Sequence, residues 1–251
     1  MSPTAIGCIV LACVFGGALV GMVLRLILPE RHLSADSKDV IKMGMGLTAT
    51  MAALVLALLI NSAKSSYDAQ RNEVTKISAN LILLDRILAH YGPETKTARD
   101  LLSDSAAGMI AGMWPEHRTG RAESEPASAL GESFYDKVQE LSPHTEVQRS
   151  LQAQALQMSI ELGENRWLLF EQRGRSIPMA FLVLLVFWVT IIFLSFGLFA
   201  PPNATVVATL FLCAFSVSGA IVMILELDRP FGGIIQISSA PLRNAAAHLG
   251  K

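Results

Sequence analysis

Small and hydroxyl-bearing residues repeat along one apolar stretch of the sequence, residues 40–60. One stripe at helical spacing holds Gly44, Thr48 and Ala52, and a neighbouring stripe holds Gly46, Thr50, Ala53 and Ala57. Side chains of these types let two helices approach closely, and they can also form the wall of an ion pathway. Spacing alone favours helix packing over a pore wall.

Side chains that could catalyse a reaction or bind a metal are scattered along the chain. The histidines are His32, His90, His117, His144 and His248. The sequence has no phosphate-binding loop, dinucleotide-binding glycine motif, Cys-x-x-Cys pair or nucleophile elbow. Glu161 and Glu164 share a helix face, which is typical of a solvated surface. We therefore expect no enzyme activity, cofactor or metal site.

Apolar and charged residues are segregated along the 251 residues, of which 52% are hydrophobic and only 16% charged. Residues 63–175 hold 29 of the 41 charged side chains. This division excludes an ordinary soluble enzyme, and it also excludes a disordered chain, which would be poor in apolar residues. The net charge of −1 gives no electrostatic reason to expect a nucleic-acid partner.

Four apolar blocks are long enough to cross a lipid bilayer as helices. They cover residues 6–28, 40–60, 177–199 and 204–225, and the last two contain no charge. The first block has no basic residue before Arg25, so we interpret it as a retained span rather than a signal peptide. Cys8, Cys13 and Cys213 lie inside these blocks and form neither a metal motif nor a disulfide framework.

Basic residues near the block ends predict the orientation of the spans. The uncharged link at residues 200–203 is expected on the translocated side, whereas Arg173, Arg175 and Arg229 flank the opposite ends of its two spans. The middle region and both termini are then cytoplasmic. The external first loop is a mild exception because it carries Arg31. Arg25 and Lys42 share the external face, either as snorkelling anchors or as an electropositive mouth.

The polar middle has the pattern of several packed helices. A continuous helix is predicted from residue 40 to 91, ending at Gly92 and Pro93. Beyond the span it carries a heptad seam, which requires a partner helix: Val74, Ile77, Leu81, Leu84, Leu88 and Tyr91. Further helices are expected at residues 94–114, 127–141 and 145–170, with a surface loop at 115–126. The last helix carries an apolar stripe: Val147, Leu151, Met158, Leu162 and Leu169.

Five short stretches resemble the bestrophin-like family of bacterial membrane proteins, which is distantly similar to the bestrophin chloride channels. They are residues 28–32, 53–59, 84–86, 91–94 and 226–232. The residues with family-motif character are Asp85, Arg86, Glu226, Asp228, Pro230, Phe231 and Gly232. The resemblance covers most of the chain and is more specific for the bacterial group than for true bestrophins.

The resemblance implies a pentamer with four spans per subunit, cytoplasmic termini and a pore lined by the second span. On that basis the pore-facing candidates are Thr48, Thr50, Met51, Leu54 and Leu58, although one helix face cannot hold all five. The second span has no Phe, Tyr or Trp, so the resemblance does not extend to the bulky neck of bestrophins or to its anion selectivity. Only Glu226 and Asp228 match the acidic calcium cluster, which leaves calcium control unsupported.

The sequence thus predicts an all-α membrane protein with a helical cytoplasmic region inserted between spans 2 and 3. We expect spans 1 and 2 in residues 1–62, the cytoplasmic region in 63–175, spans 3 and 4 in 176–226 and a cytoplasmic tail in 227–251. The expected function is an oligomeric channel of the bacterial inner membrane, with anions as the candidate permeant ions and with lipid, inorganic ions and its own copies as partners. A membrane-anchored helical scaffold or signalling protein is the alternative.

Overall fold

The computed structural model describes residues 2–29, 35–114, 127–171 and 177–250, without the side chains of 35–37, 127–130 and Phe170. Within these ranges the chain forms eight α-helices and no strand. They are α1 (Pro3–Ile27), α2 (Ala35–Tyr91), α3 (Lys96–Met113), α4 (Ala127–Gln139), α5 (Glu146–Glu171), α6 (Met179–Phe199), α7 (Ala204–Leu227) and α8 (Ala240–His248). A 3₁₀ turn, Pro93–Thr95, precedes α3.

Helices α1, α2, α6 and α7 are long and apolar enough to cross a membrane, which confirms the four predicted spans. Two of these helices begin at side-chain caps. The Ser2 hydroxyl accepts a hydrogen bond from the Ala5 amide, and the Asn203 side chain accepts one from the Val206 amide at 2.8 Å. The uncharged link between α6 and α7 therefore ends at Asn203, which is the N-cap of the last span.

The chain divides into two compact units, each described here by itself. The span unit comprises Met1–Ser66 and Arg175–Asp228, and the polar unit comprises Tyr67–Gly174 and Arg229–Lys251. The loop predicted at residues 115–126, together with His32, Arg31, Arg173 and Arg175, lies outside the described residues.

Glycines bring α1 against its neighbours in the span unit. A methyl group on Gly21 would overlap the Leu194 carbonyl oxygen of α6, and one on Gly197 would overlap the Ala18 carbonyl oxygen of α1. The Ser218 hydroxyl of α7 donates a buried hydrogen bond of 2.7 Å to the Gly7 carbonyl oxygen. Gly17 and Gly21, four residues apart on α1, both lie against the backbone of α6, so this small-residue pair serves packing within the chain.

The heptad seam of α2 forms the centre of the polar unit. All six predicted seam residues are buried, and all except Tyr91 pack with Leu102 of α3, Val138 of α4 and Leu162 of α5 in one cluster. The helix ends at Gly92, whose φ of 141° is accessible to glycine at little cost. The partner that the seam requires is thus supplied by the chain itself.

The predicted apolar stripe of α5 is wrong at its first member. Val147 is 69% exposed, whereas Met158 and Leu162 are buried. Val147 lies in the first turn of a helix that begins at Glu146, and the core residue that continues the stripe is Ala155. The apolar pattern includes Val147 and omits the small Ala155, although only Ala155 of the two is buried.

Candidate functional site: the second membrane helix and its polar extension

The membrane-crossing part of α2 is the least covered of the four spans. Only 11% of its most apolar stretch is buried within the subunit, compared with 39% for α1, 28% for α6 and 22% for α7. Large side chains such as Leu47, Leu54 and Leu58 are more than 60% exposed. The surface of this span must therefore be covered by something other than its own subunit.

The two sides of this span differ in burial. Ala52, Leu59 and Ala63 are buried and form a stripe against the rest of the span unit. At about 100° per residue, a second stripe with steps of four and three residues lies on the opposite side. Its members are all exposed: Met43, Leu47, Thr50, Leu54, Ala57 and Asn61.

The five pore-facing candidates occupy different parts of this helix. Thr50 and Leu54 lie in the stripe opposite the buried one, and Met51 and Leu58 are exposed on its flank. Thr48 is half-buried and adjoins the buried stripe. The hydroxyls of Thr48 and Thr50 donate to the Gly44 and Gly46 carbonyl oxygens at 3.0 and 2.8 Å, so each is satisfied within the helix.

The two basic residues at one face of the spans have different environments. The Arg25 guanidinium donates to the Ala200 carbonyl oxygen, at the C-cap of α6. A cation at that position satisfies an otherwise unpaired carbonyl and opposes the negative end of the helix dipole. Lys42 lies 3.6 Å from Asp39, with both side chains exposed. Arg25 thus joins two spans of one subunit.

Asp85, one of the motif residues, is buried in the polar unit beside Arg99 of α3. The guanidinium donates to both carboxylate oxygens, with Nε 2.7 Å from Oδ1 and Nη2 2.9 Å from Oδ2. The Gly250 amide also donates to Oδ1 at 3.3 Å. This bidentate hydrogen bonding raises the pKa of Arg99 above its ordinary value. Asp85 therefore fastens α2 to α3 and to Gly250, two residues beyond the end of α8.

The neighbouring motif residue, Arg86, has no such structural role. Its side chain is exposed and lines a groove between α2 and α8. The same groove is lined by His90 and His248, two of the histidines that are scattered in the sequence. The fold therefore brings together side chains whose separation along the chain gave no motif.

The motif residues after the last span have distinct positions. Glu226 is buried in the last turn of α7, and Asp228 is the half-buried C-cap of that helix. Pro230 is buried, and its carbonyl oxygen accepts a hydrogen bond of 2.7 Å from the Ile237 amide. The Gly232 amide donates to the Arg229 carbonyl oxygen at 3.2 Å, which closes a turn around Phe231.

Trp114 anchors this turn in the polar unit. Its ring meets Phe231 edge to face, with centroids 5.3 Å apart and planes at 83°. Its buried indole Nε1 donates to the Ile237 carbonyl oxygen at 2.8 Å. The sequence analysis identified residue 114 only as the end of a helix, and it assigned no role to Arg99. A buried tryptophan requires an acceptor for its N–H, but nothing local identifies an acceptor 123 residues away.

Among the described residues, no group of three His, Cys, Asp or Glu side chains is arranged to hold a metal ion. Glu226 and Asp228 are two residues apart on one helix, and such residues do not face each other.

A comparison with known protein families agrees with this architecture. The model of the bestrophin-like domain family matches residues 12–242. No curated protein matches the chain.

Solved structures of a bacterial bestrophin homologue from Klebsiella pneumoniae are similar in fold. A tryptophan-to-alanine variant has a TM-score of 0.72 at 12% identity and covers 99% of this chain and 97% of its own. The structure solved by zinc phasing has a TM-score of 0.63 at 12% identity, with 92% and 95% covered. A tyrosine-to-alanine variant has a TM-score of 0.64 at 13% identity, with 94% and 97% covered.

Proposed function

Because this chain belongs to the bestrophin-like family, whose known members are ion channels, we propose that it is an oligomeric ion channel. We infer that it lies in the bacterial inner membrane, with residues 63–175 and both termini in the cytoplasm. This orientation rests on the uncharged link at residues 200–203 and on the basic residues that flank the spans.

The observation that carries the proposal is the exposure of α2. Only 11% of its most apolar stretch is buried by its own chain, although α1 packs closely against α6 and α7. In a ring, the second spans of neighbouring copies would flank one another around the axis, and the outer helices would face lipid. We propose a pentamer, the arrangement implied by the family resemblance, with α2 lining the pore.

The pore face is proposed to be the stripe opposite the buried one. A helix whose packed side faces its own subunit directs its opposite side away from that subunit, toward the axis of a ring. Leu47, Thr50, Leu54 and Asn61 are then the strongest candidates, with Met51 and Leu58 turned toward neighbouring copies. Thr48 adjoins the packed stripe and is the weakest of the original five candidates.

The scaffold alternative has less support than the channel. It would use the heptad seam of α2 as a docking surface for another protein. All six seam residues are buried in the polar unit, with the seam leucines 0–1% exposed, so a partner helix would have to displace the unit's own core. The seam therefore does not serve as a free docking surface.

The first experiment measures conductance of the purified full-length protein in planar bilayers. We expect unitary currents in symmetrical salt, and the reversal potential under a salt gradient then reports the permeant ion. A Gly21→Leu variant, whose side chain would collide with the α6 backbone, serves as a control for contaminating channels. No current over a range of salts and voltages would overturn the proposal.

A second experiment identifies the face of α2 that water reaches. Cys8, Cys13 and Cys213 are first replaced by alanine, and single cysteines are then placed at successive positions from 47 to 61. A water-soluble thiol reagent should modify Thr50→Cys and Leu54→Cys quickly, and Ala52→Cys and Leu59→Cys slowly. Uniform protection at every position would contradict a pore lined by α2 and would favour the scaffold.

A further inference from the structure

A groove in the polar unit, with a volume of about 380 Å³, separates α2 from α8. One wall is a face of α2, formed by Ile82, Asp85, Arg86, Ala89 and His90. The other wall is a face of α8, formed by Pro241, Asn244, Ala245 and His248. Both sets recur at steps of three, four or one residue, so two continuous helix faces line the groove.

The polar side chains of this groove are mostly hydrogen-bond donors. Arg86 carries a permanent positive charge and five N–H groups, and Asn244 offers an amide NH₂. Asp85 is the only carboxylate among the lining residues, and it already accepts hydrogen bonds from Arg99 and from the Gly250 amide. The charge of Asp85 is thus compensated, and the charge that remains in the groove is positive.

The two histidines add to this donor set. The Nδ1 of His248 lies 2.7 Å from the Asn244 carbonyl oxygen, which can only accept, so Nδ1 carries the hydrogen. The Nε2 atom is then the nitrogen of His248 that remains for a ligand. His90, on the α2 wall, adds a second imidazole to the groove.

We propose that this groove binds a small organic anion that carries phosphate or carboxylate groups. A guanidinium, two imidazoles and an amide match oxygen atoms of either group, while Ile82, Ala89 and Pro241 give the groove an apolar part. The volume lies within the range of small-molecule sites and exceeds the need of a halide ion. A ligand there touches both helices and holds α8 against α2.

The test is calorimetric titration of the full-length protein in detergent, first with inorganic phosphate and then with succinate. Sodium chloride at matched ionic strength corrects for general screening. Saturable binding of phosphate alone identifies a phosphate ligand, and saturable binding of succinate alone identifies a carboxylate ligand. Absence of saturable binding by both probes at millimolar concentration overturns the proposal.

Two variants connect the binding to this groove. Arg86→Gln removes the permanent charge and should weaken binding about tenfold or more, the usual loss for a charge-assisted hydrogen bond. Ala89→Leu keeps every charge and fills the groove from the exposed α2 face, so it should weaken binding as well. Both positions are exposed, and we expect both variants to fold.

The matched control is Arg71→Gln, which removes an exposed arginine from the same helix outside the groove. Its affinity should equal that of the unmodified protein. If Arg71→Gln weakens binding as much as Arg86→Gln, or if Ala89→Leu has no effect, the anion binds through general surface charge and the proposal is wrong. No arm of this test measures ion conduction, so its failure and failure of the channel proposal are distinguishable.

Discussion

Gly21 lies at a close approach between α1 and α6. A β-carbon there would overlap the Leu194 carbonyl oxygen, and the second neighbour, the Leu198 amide nitrogen, is also backbone. Because neither atom can move as a side chain does, the helices themselves would have to separate. We expect Gly21→Ala to destabilise the protein by about 1–3 kcal/mol, the usual cost of overpacking. Thermal unfolding in detergent measures this loss.

Gly16 provides the matched control for that substitution. It lies on the same helix, but a β-carbon at Gly16 has no neighbour within 4 Å in the subunit. Gly16→Ala should leave the midpoint of unfolding unchanged or raise it slightly, because alanine favours a helix over glycine. Equal destabilisation by the two variants would show that helix packing is not the reason for Gly21.

Asp85 and Arg99 form a buried, bidentate ion pair in the polar unit. Arg99→Met would leave the Asp85 carboxylate buried without its charged partner, which costs about 3–5 kcal/mol in comparable sites. Replacing both partners, as Asp85→Leu with Arg99→Met, removes the uncompensated charge and should recover part of that loss. Unfolding of the two variants and of Asp85→Leu alone completes a double-mutant cycle.

An exposed ion pair in the polar unit controls for charge removal. Arg149 pairs with Glu146 three residues earlier on α5, and the two side chains are 63% and 84% exposed. Arg149→Met should change stability by less than about 1 kcal/mol because water already screens the pair. A loss as large as that of Arg99→Met would contradict the distinction between the buried and the exposed pair.

At the scale of elements, α2 is both a span and the core of the polar unit. Its neighbouring leucines show the contrast: Leu84 is 0% exposed and Leu83 is 50% exposed. Leu84→Ala should cost about 2–5 kcal/mol, whereas Leu83→Ala should cost far less because its surroundings are already open. Chemical denaturation followed by tryptophan fluorescence, to which the buried Trp114 contributes, compares them. If the two variants lost similar amounts of stability, both leucines would belong to the same buried core, which would contradict the prediction.

Periodicity and length predict most helices of this chain but few of its contacts. The four spans follow from apolar runs, and the end of α2 at Tyr91 follows from Gly92 and Pro93. The link from Asp85 to Arg99 joins two helices across a turn, and the Trp114 indole finds its acceptor 123 residues later. Such pairings depend on how the helices pack, which a one-dimensional pattern does not contain.

The same limit applies to the proposed pore. The small-residue pattern of the second span identified a helix worth examining, and it selected Thr48 and Thr50 equally. Burial separates them, since Thr48 adjoins the packed stripe and Thr50 lies opposite to it. The sequence could not distinguish them because the buried stripe of Ala52, Leu59 and Ala63 is not more hydrophobic than the exposed one.

At the scale of the whole molecule, ring symmetry multiplies the effect of one substitution. If α2 lines the pore of an oligomer, a charge at position 50 recurs once per subunit around the axis. Thr50→Lys should then raise anion over cation permeability, and Thr50→Glu should do the reverse. Reversal potentials under a salt gradient should shift in opposite directions for the two variants.

Thr209 of α7 offers a closely matched control for this prediction. Like Thr50 it is exposed, and its hydroxyl donates to the carbonyl oxygen four residues earlier, at 2.9 Å compared with 2.8 Å. Thr209→Lys therefore makes the same chemical change on a span that would face lipid in the proposed ring. It should leave the reversal potential unaltered. Identical reversal potentials for Thr50→Lys and Thr50→Glu would mean that position 50 does not face the conducting pathway, and a shift with Thr209→Lys alone would assign the pore to α7.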